Sequence, residues 1–303
     1  MTVEQRASSA EVFTTRDGTG LRVREHGPAD APITVVFVHG WTLTKHSWDR
    51  VVAGLPATAG VPVRGVSFDL RGHGESDPAP AGTATIRQCA DDLAELIEDR
   101  VPDGPIVLAG HSMGGMTLMA LAEQHPQLFA DRVRGVALVA TSSGGLAAPS
   151  LGLPKPIAAL FNAGERAVRS KLAAARGRVV SRRSRWMRPG LRWLLFGSKP
   201  ASSDLATTAE WVAGCHPPSM AGFRESLAEH DRVEALAAFR SVPVMVLAGL
   251  DDRLCPYSHA RRISEALPHA EHLVYAGAGH MLPLERDDEV TARVADLARA
   301  AVR

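Results

Sequence analysis

Ile106-Val-Leu-Ala-Gly110-His111-Ser112-Met113-Gly114-Gly115 is the stretch on which the reading of this chain turns. Its first four residues form a short apolar run that fits a strand buried on both faces, and a helical pattern follows the last glycine directly. Between them, Gly110 to Gly114 read G-x-S-x-G in a strand-turn-helix setting. So tight a turn strains the serine backbone and leaves no room for bulk beside it, which is why small residues flank the serine two positions away. The geometry lifts the Ser112 hydroxyl out of the sheet and points the free amides of a helix N-terminus at whatever approaches it.

Upstream, residues 11–25 hold two alternating segments broken by Asp17-Gly-Thr-Gly20, the pattern of an opening hairpin. Buried-strand runs are predicted at 33–38, 65–68, 106–109, 133–139, 242–247 and 272–275, with helical patterns between them. One helix opens with the capping box Thr85-Ile-Arg-Gln88, and others are predicted over 258–266 and 288–300. Strands alternating with helices predict an α/β fold, a mostly parallel twisted sheet covered by helices on both faces. The alternation stops from about Gly144 to His230, where Gly/Pro pairs punctuate helical stretches rich in arginine and tryptophan. We therefore expect a core of residues 1–144 and 231–303, with a helical cap inserted at 145–230.

A serine hydroxyl is a weak nucleophile that needs a base within hydrogen-bond reach, and the base needs a third group to orient it. Two later loops supply such groups. After the run at 272–275 comes Ala276-Gly-Ala-Gly-His280-Met-Leu-Pro283, a glycine-rich loop able to carry a histidine over the sheet edge. Before it, Gly249-Leu-Asp251-Asp252-Arg-Leu-Cys-Pro256 places two carboxylates at the end of a strand. Serine, then aspartate, then histidine is the chain order that accompanies this elbow.

His39-Gly40, Asp69-Leu-Arg-Gly-His-Gly-Glu-Ser76, the Ser112 elbow, the Asp252 loop and Gly279-His280 together resemble the α/β-hydrolase superfamily, in its serine esterase, lipase and perhydrolase-like branches. The resemblance covers nearly the whole chain outside the insertion. It implies Ser112 as nucleophile, His280 as general base, and Asp252 rather than Asp251 as the orienting acid, because the family acid commonly stands three residues after the glycine and four before the proline. It also implies an oxyanion hole made by the backbone amides of Met113 and Trp41. The Asp69 to Ser76 segment and His39, His73 and His111 are expected to brace the site or line the pocket. His216 has no second ligand pair at zinc spacing, so no metal site is expected. The three cysteines, Cys89, Cys215 and Cys255, suggest neither a disulfide framework nor a nucleophile.

The implied activity is hydrolysis of a carboxylic ester through an acyl-serine intermediate, with no cofactor and a small ester or acyl compound as partner. Carbon-carbon bond hydrolases, lactonases and perhydrolases share the same three residues, and a ligand receptor with little turnover is the reading from a different class. A formal net charge of +1 over 303 residues gives no reason to expect nucleic acid. The N-terminal residues lack an apolar core and no stretch suffices to span a bilayer, so a soluble cytoplasmic protein without membrane insertion is expected. The insertion would cover the site with an apolar underside drawn from Phe161, Trp186, Trp193, Leu194, Leu195, Phe196, Trp211, Met220 and Phe223, among which Trp193 and Phe196 are expected to bind substrate. Its basic run, Arg166 to Arg192, carries ten Lys and Arg residues and no acid, and is expected to be a solvated outer face or a site for anionic substrates or lipid surfaces.

Overall fold

A computed structural model describes residues 11–146 and 184–303. Eight strands form one sheet: β1 Glu11–Thr14, β2 Gly20–His26, β3 Ile33–Val38, β4 Val63–Phe68, β5 Ile106–His111, β6 Val133–Val139, β7 Val244–Gly249 and β8 Glu271–Tyr275. Their order is β1-β2-β4-β3-β5-β6-β7-β8. The hairpin β1–β2 pairs antiparallel with itself and with β4, and every other pair is parallel. Strands β3, β5 and β7 are buried along their full length because helices cover both faces, which is why they read as unbroken apolar runs.

The two faces have separate cores. On one, the helices Ile86–Arg100 and Met113–Gln124 bury Leu93, Ile97, Met116 and Leu118 against the sheet. On the other, the helices Asp49–Thr58 and Asp287–Ala301 bury Val51, Leu55, Val290 and Val294 together with Trp48. At the start of Ile86–Arg100 the capping box is half made. The Thr85 side chain accepts from the Gln88 amide at 3.0 Å, but the Gln88 side chain turns to Asp92 instead of reaching back.

Strand β7 begins two residues later than its sequence suggests. The Val242 amide closes the 3-10 turn Glu234–Ser241 by donating to Phe239, and Pro243 has no amide to give a neighbouring strand. The long β6–β7 connection holds the helices Ser184–Leu195, Ser202–Gly214 and Pro217–Glu229, and an antiparallel bridge between Gly144 and Asp231 ties its two ends together.

Strand order decides where a ligand can sit. The chain leaves β3 toward β4 on one side and returns to β5 on the other, so the loops after β3 and β5 part at their carboxyl ends and open a crevice. Residues 39–41 follow β3 and Ser112 follows β5, on opposite lips of that crevice. The helix Met113–Gln124 reaches this place only through glycines. A methyl group at Gly114 would overlap the Val38 carbonyl, one at Gly110 would lie 2.6 Å from the Gly115 nitrogen, and one at Gly115 would lie 2.7 Å from the Thr141 side chain.

Gly114→Ala is therefore expected to lose on the order of 3 kcal/mol of unfolding free energy. Gly190, inside Ser184–Leu195 with open space around it, serves as the control. There Ala should stabilise by about 0.5–1 kcal/mol through helix propensity alone. Urea unfolding of both variants checks the pair, and a Gly114→Ala protein as stable as its parent would show that the helix can back away from β3.

Candidate active site

Ser112 sits between β5 and the helix at φ 54° and ψ −118°, on the side of backbone space that non-glycine residues avoid. Two bonds hold it there. Its amide donates to the Val139 carbonyl at 2.9 Å, and its own carbonyl accepts from the Thr141 hydroxyl at 2.7 Å. Strain of this kind costs about 1–3 kcal/mol and persists only where the surroundings over-determine it.

The hydroxyl thus displayed meets His280, carried by the loop after β8, with Nε2 2.9 Å from Ser112 Oγ. On the other side of the ring, Nδ1 lies 2.7 Å from Oδ2 of Asp252, at the end of β7. A buried carboxylate at Nδ1 assigns the proton to that nitrogen, leaving the Nε2 lone pair to accept from the serine. The remaining oxygen of Asp252 accepts from the amides of Leu254 at 2.8 Å and Cys255 at 2.9 Å, so the carboxylate cannot rotate. Asp251 makes its backbone bond to Ala278 and leaves the histidine to its neighbour. The structure brings Ser112, His280 and Asp252 together, with His280 and Asp252 almost fully buried.

His111 serves the same loop from below. Burial, and then the neighbouring His280, push its pKa down to about 3, so the ring is neutral. Its Nε2 proton goes to the His280 carbonyl at 2.8 Å, and the two imidazoles lie 5.0 Å apart. The β6–β7 connection grips the loop from above. The Leu195 carbonyl accepts from the amides of His280 at 2.7 Å and Met281 at 3.2 Å. Glu285 then gathers three amides: Gly197 at 2.7 Å, Gly279 at 3.0 Å and Met281 at 3.2 Å.

Across the crevice, His39 Nε2 accepts from the Leu70 amide at 2.9 Å, which places its proton on Nδ1, 2.7 Å from the Gly40 carbonyl. That bond fixes the Gly40–Trp41 peptide plane beside Ser112, where a side chain at Gly40 would come within 3.1 Å of Ser112 Cβ. The Met113 amide is the first of its helix, and among the described residues neither it nor the Trp41 amide has an acceptor. Behind this loop Lys45, almost fully buried, donates to Asp69 and Glu75 at 2.8 Å each, and Arg71 is locked between Asp92 and Asp17. The Asp69 to Ser76 segment is thus a brace, and His73 is buried within it.

Above Ser112 and His280 lies a cavity of about 290 Å³ whose walls include Met116, Met187, Leu191, Leu194, Met220 and Leu254. Arg224 is its one fixed charge among the described residues. Cys255 also faces it, but burial and then the Asp252 charge push its thiol well above the ordinary range, so it stays protonated.

Two expected substrate contacts fall elsewhere. Trp193 stands outside the cavity, 40% exposed, with the Arg253 guanidinium 5.2 Å above its ring, because Leu191, Leu194 and Leu195 take the inward positions of that helix. Phe196 is buried among Leu43, Leu195, Met281 and Leu284, behind the His280 loop, because the helix ends before it. Trp211 packs in the same cluster while its neighbour Val212 reaches the cavity. Met187 and Leu191, at helical spacing with Leu194 and Leu195, line the cavity in place of the larger aromatics. Phe161 and the basic residues from Arg166 to Arg183 lie outside the described residues. His216 caps the helix Pro217–Glu229, its ring facing Ser219 at 2.8 Å.

The geometry has a spectroscopic consequence. A strongly deshielded imidazole proton is expected from the buried Nδ1–H of His280. Proton NMR should show it in the parent and in Asp251→Asn, and should show it lost in Asp252→Asn. Its survival in Asp252→Asn would place the proton on the other nitrogen.

The site can be set beside known proteins. The alpha/beta hydrolase fold model matches residues 33–287. The chain is similar to the non-heme chloroperoxidase CPO-A1 of Kitasatospora aureofaciens, 26% identical over 284 residues, covering 92% of this chain and 94% of that protein. It is similar to the bifunctional esterase/perhydrolase DCH of Acinetobacter calcoaceticus, 26% identical over 285 residues, covering 89% and 92%. Among solved structures, the esterase EaEST from Exiguobacterium antarcticum superposes with a TM-score of 0.76 at 19% identity, covering 96% of this chain and 100% of its own. With the family match running from β3 to the first residue of the last helix, the chain belongs to the alpha/beta hydrolase fold family.

Proposed function

We propose that this chain cleaves carboxylic esters through an acyl-serine intermediate, with Ser112 as nucleophile, His280 as base and Asp252 as its orienting acid. The observation that carries this reading is the pair of bonds from Ser112 through His280 to Asp252 at the floor of an apolar cavity. The Ser112 oxygen attacks the ester carbonyl as its proton passes to His280 Nε2. The proton then leaves on the departing alcohol, and water repeats the sequence to free the acid. Asp252 stabilises the imidazolium that forms between the two transfers. The amides of Met113 and Trp41 are the donors for the oxyanion, held ready by the helix start and by the His39–Gly40 bond.

We further read residues 145–230 as a cap over the site, since the helices of that connection supply Met187, Leu191, Leu194 and Met220 to the cavity wall. Such walls suit an acyl chain. The names of the two curated relatives favour a second activity at the same serine, in which hydrogen peroxide instead of water takes the acyl group and leaves as the peracid.

A fluorophosphonate probe should phosphonylate Ser112 in the folded protein, and Ser112→Ala should take no label. An adduct mapped to another residue, or none at all, rules the serine reading out. In ester hydrolysis, Asp252→Asn should lose on the order of 10⁴ in kcat, the scale known for this change in a serine protease. Asp251→Asn should fall by less than about tenfold, since the carboxylate bonded to the imidazole is that of Asp252.

Chain length tests the cavity. Each buried methylene is worth about 0.8 kcal/mol, roughly fourfold in kcat/KM, so butyrate and hexanoate esters should outpace acetate until the space is full. Leu191→Trp should abolish that gain while leaving fluorophosphonate labelling intact. An acetate optimum in the parent would contradict an acyl role for the cavity.

A further inference from the structure

The helix Ser184–Leu195 has two working faces. Met187, Leu191, Leu194 and Leu195 look into the cavity above Ser112. Arg185, Trp186, Pro189, Arg192 and Trp193 look outward and are exposed. Trp186 is 86% exposed, an unusual state for the largest apolar side chain, and Trp193 is 40% exposed. Seven residues are close to two helical turns, so Trp186 and Trp193 lie on one line, and Arg185 and Arg192 on a line beside it. The helix contains no acid. Arg253, reaching over from the Asp252 loop, sits against Trp193 and donates to its carbonyl at 2.7 Å.

We propose that this outer face docks on an anionic lipid surface. Indole rings settle at the headgroup level of a bilayer, where one part of the ring is apolar and the N–H is wet, while arginine forks match phosphate oxygens. Two exposed tryptophans alternating with two arginines, backed by a third guanidinium, supply both attractions on one strip. The attraction is local. With a formal net charge of +1 the chain as a whole has little pull toward an anionic surface, so binding orients the molecule by this strip. Nucleic acid would also use the arginines and stack bases on the indoles, but a few guanidinia on a chain of net charge +1 give it little of the electrostatic pull on which its binding depends. The contact is peripheral, as no helix among the described residues is long and apolar enough to cross a membrane. Because the same helix walls the cavity, docking sets the site beside the bilayer, in reach of esters dissolved there; this second consequence rests on the ester-cleaving reading, whereas the docking does not.

Sedimentation of the full chain with vesicles tests docking without turnover. Binding is expected to mixed phosphatidylcholine–phosphatidylglycerol vesicles and to be at least about tenfold weaker with phosphatidylcholine alone, falling as salt screens the charges. Reversing both Arg185→Glu and Arg192→Glu should lower partitioning by at least about thirtyfold, since each basic residue near such a surface contributes about fivefold. Brominated lipids should quench tryptophan emission in the parent and much less in Trp186→Ala. Circular dichroism and unchanged hydrolysis of a water-soluble ester show that the variants are folded. Equal binding to both vesicle types, no binding to either, or parent-like binding by the arginine variant each overturns the proposal, as does displacement from vesicles by a single-stranded oligonucleotide bound more tightly than the lipid. Vesicle binding by a chain that hydrolyses no soluble ester upholds docking and removes the ester-cleaving reading instead.

Discussion

One close approach governs this molecule: the helix Met113–Gln124 lies so near β3 that the carbonyl of Val38 occupies the space a side chain at 114 would need. On the other side of β5 the same turn is held by two bonds, the Ser112 amide donating to Val139 and the Ser112 carbonyl accepting from Thr141. The positive φ of Ser112 follows from those constraints, and the position of its hydroxyl follows from the φ. Heavy packing around Met113 and Met116 resists any relaxation that would relieve the strain by withdrawing the helix.

The sheet then decides what the displayed hydroxyl can meet. Strand order parts the loops after β3 and β5, while β7 and β8, added on the far edge, end in loops that lean back toward the same point. None of these loops is left to find its own conformation. The histidine loop is held through His111 and Leu195, the aspartate loop through the amides that Asp252 accepts, and the loop after β3 through His39. The neutrality of the deeply buried His111 is part of this arrangement, since a second cation beneath His280 would oppose protonation of that ring.

Legibility in the sequence followed how local each constraint is. The elbow could be read because its requirement is written in six contiguous residues, and the alternation of strands and helices because each buried strand must be apolar on both faces. The meeting of His280 with Asp252 was readable from loop position and chain order, with the choice between adjacent aspartates resting on family resemblance. The cavity wall was read less well. Large aromatics drew attention to Trp193 and Phe196, yet the helical spacing of Met187, Leu191 and Leu194 was the better guide. Trp193 stands about 200° around the helix from Leu191 and so faces out. Glu285 could not have been found, because an acid beside Arg286, Asp287 and Asp288 reads as a solvated helix start, and its partner Gly197 is 88 residues away.

The grip of residues 195–198 on the histidine loop bears on how such a molecule can diversify. The Leu195 carbonyl, the Gly197 amide and the Ser198 amide all bond to residues 277–285, and a side chain at Gly279 would strike the backbone of Phe196. By connectivity these four residues belong to the β6–β7 connection; by bonding they are a rung of the β8 loop. A recombination that exchanges the connection as a block from 145 to 230 would carry away part of the support of the histidine. The natural seams for exchange lie on either side of that rung, and because Leu191 and Leu194 before it pack with Leu205 and Trp211 after it, the flanking helices change as a set while residues 195–198 stay with the sheet.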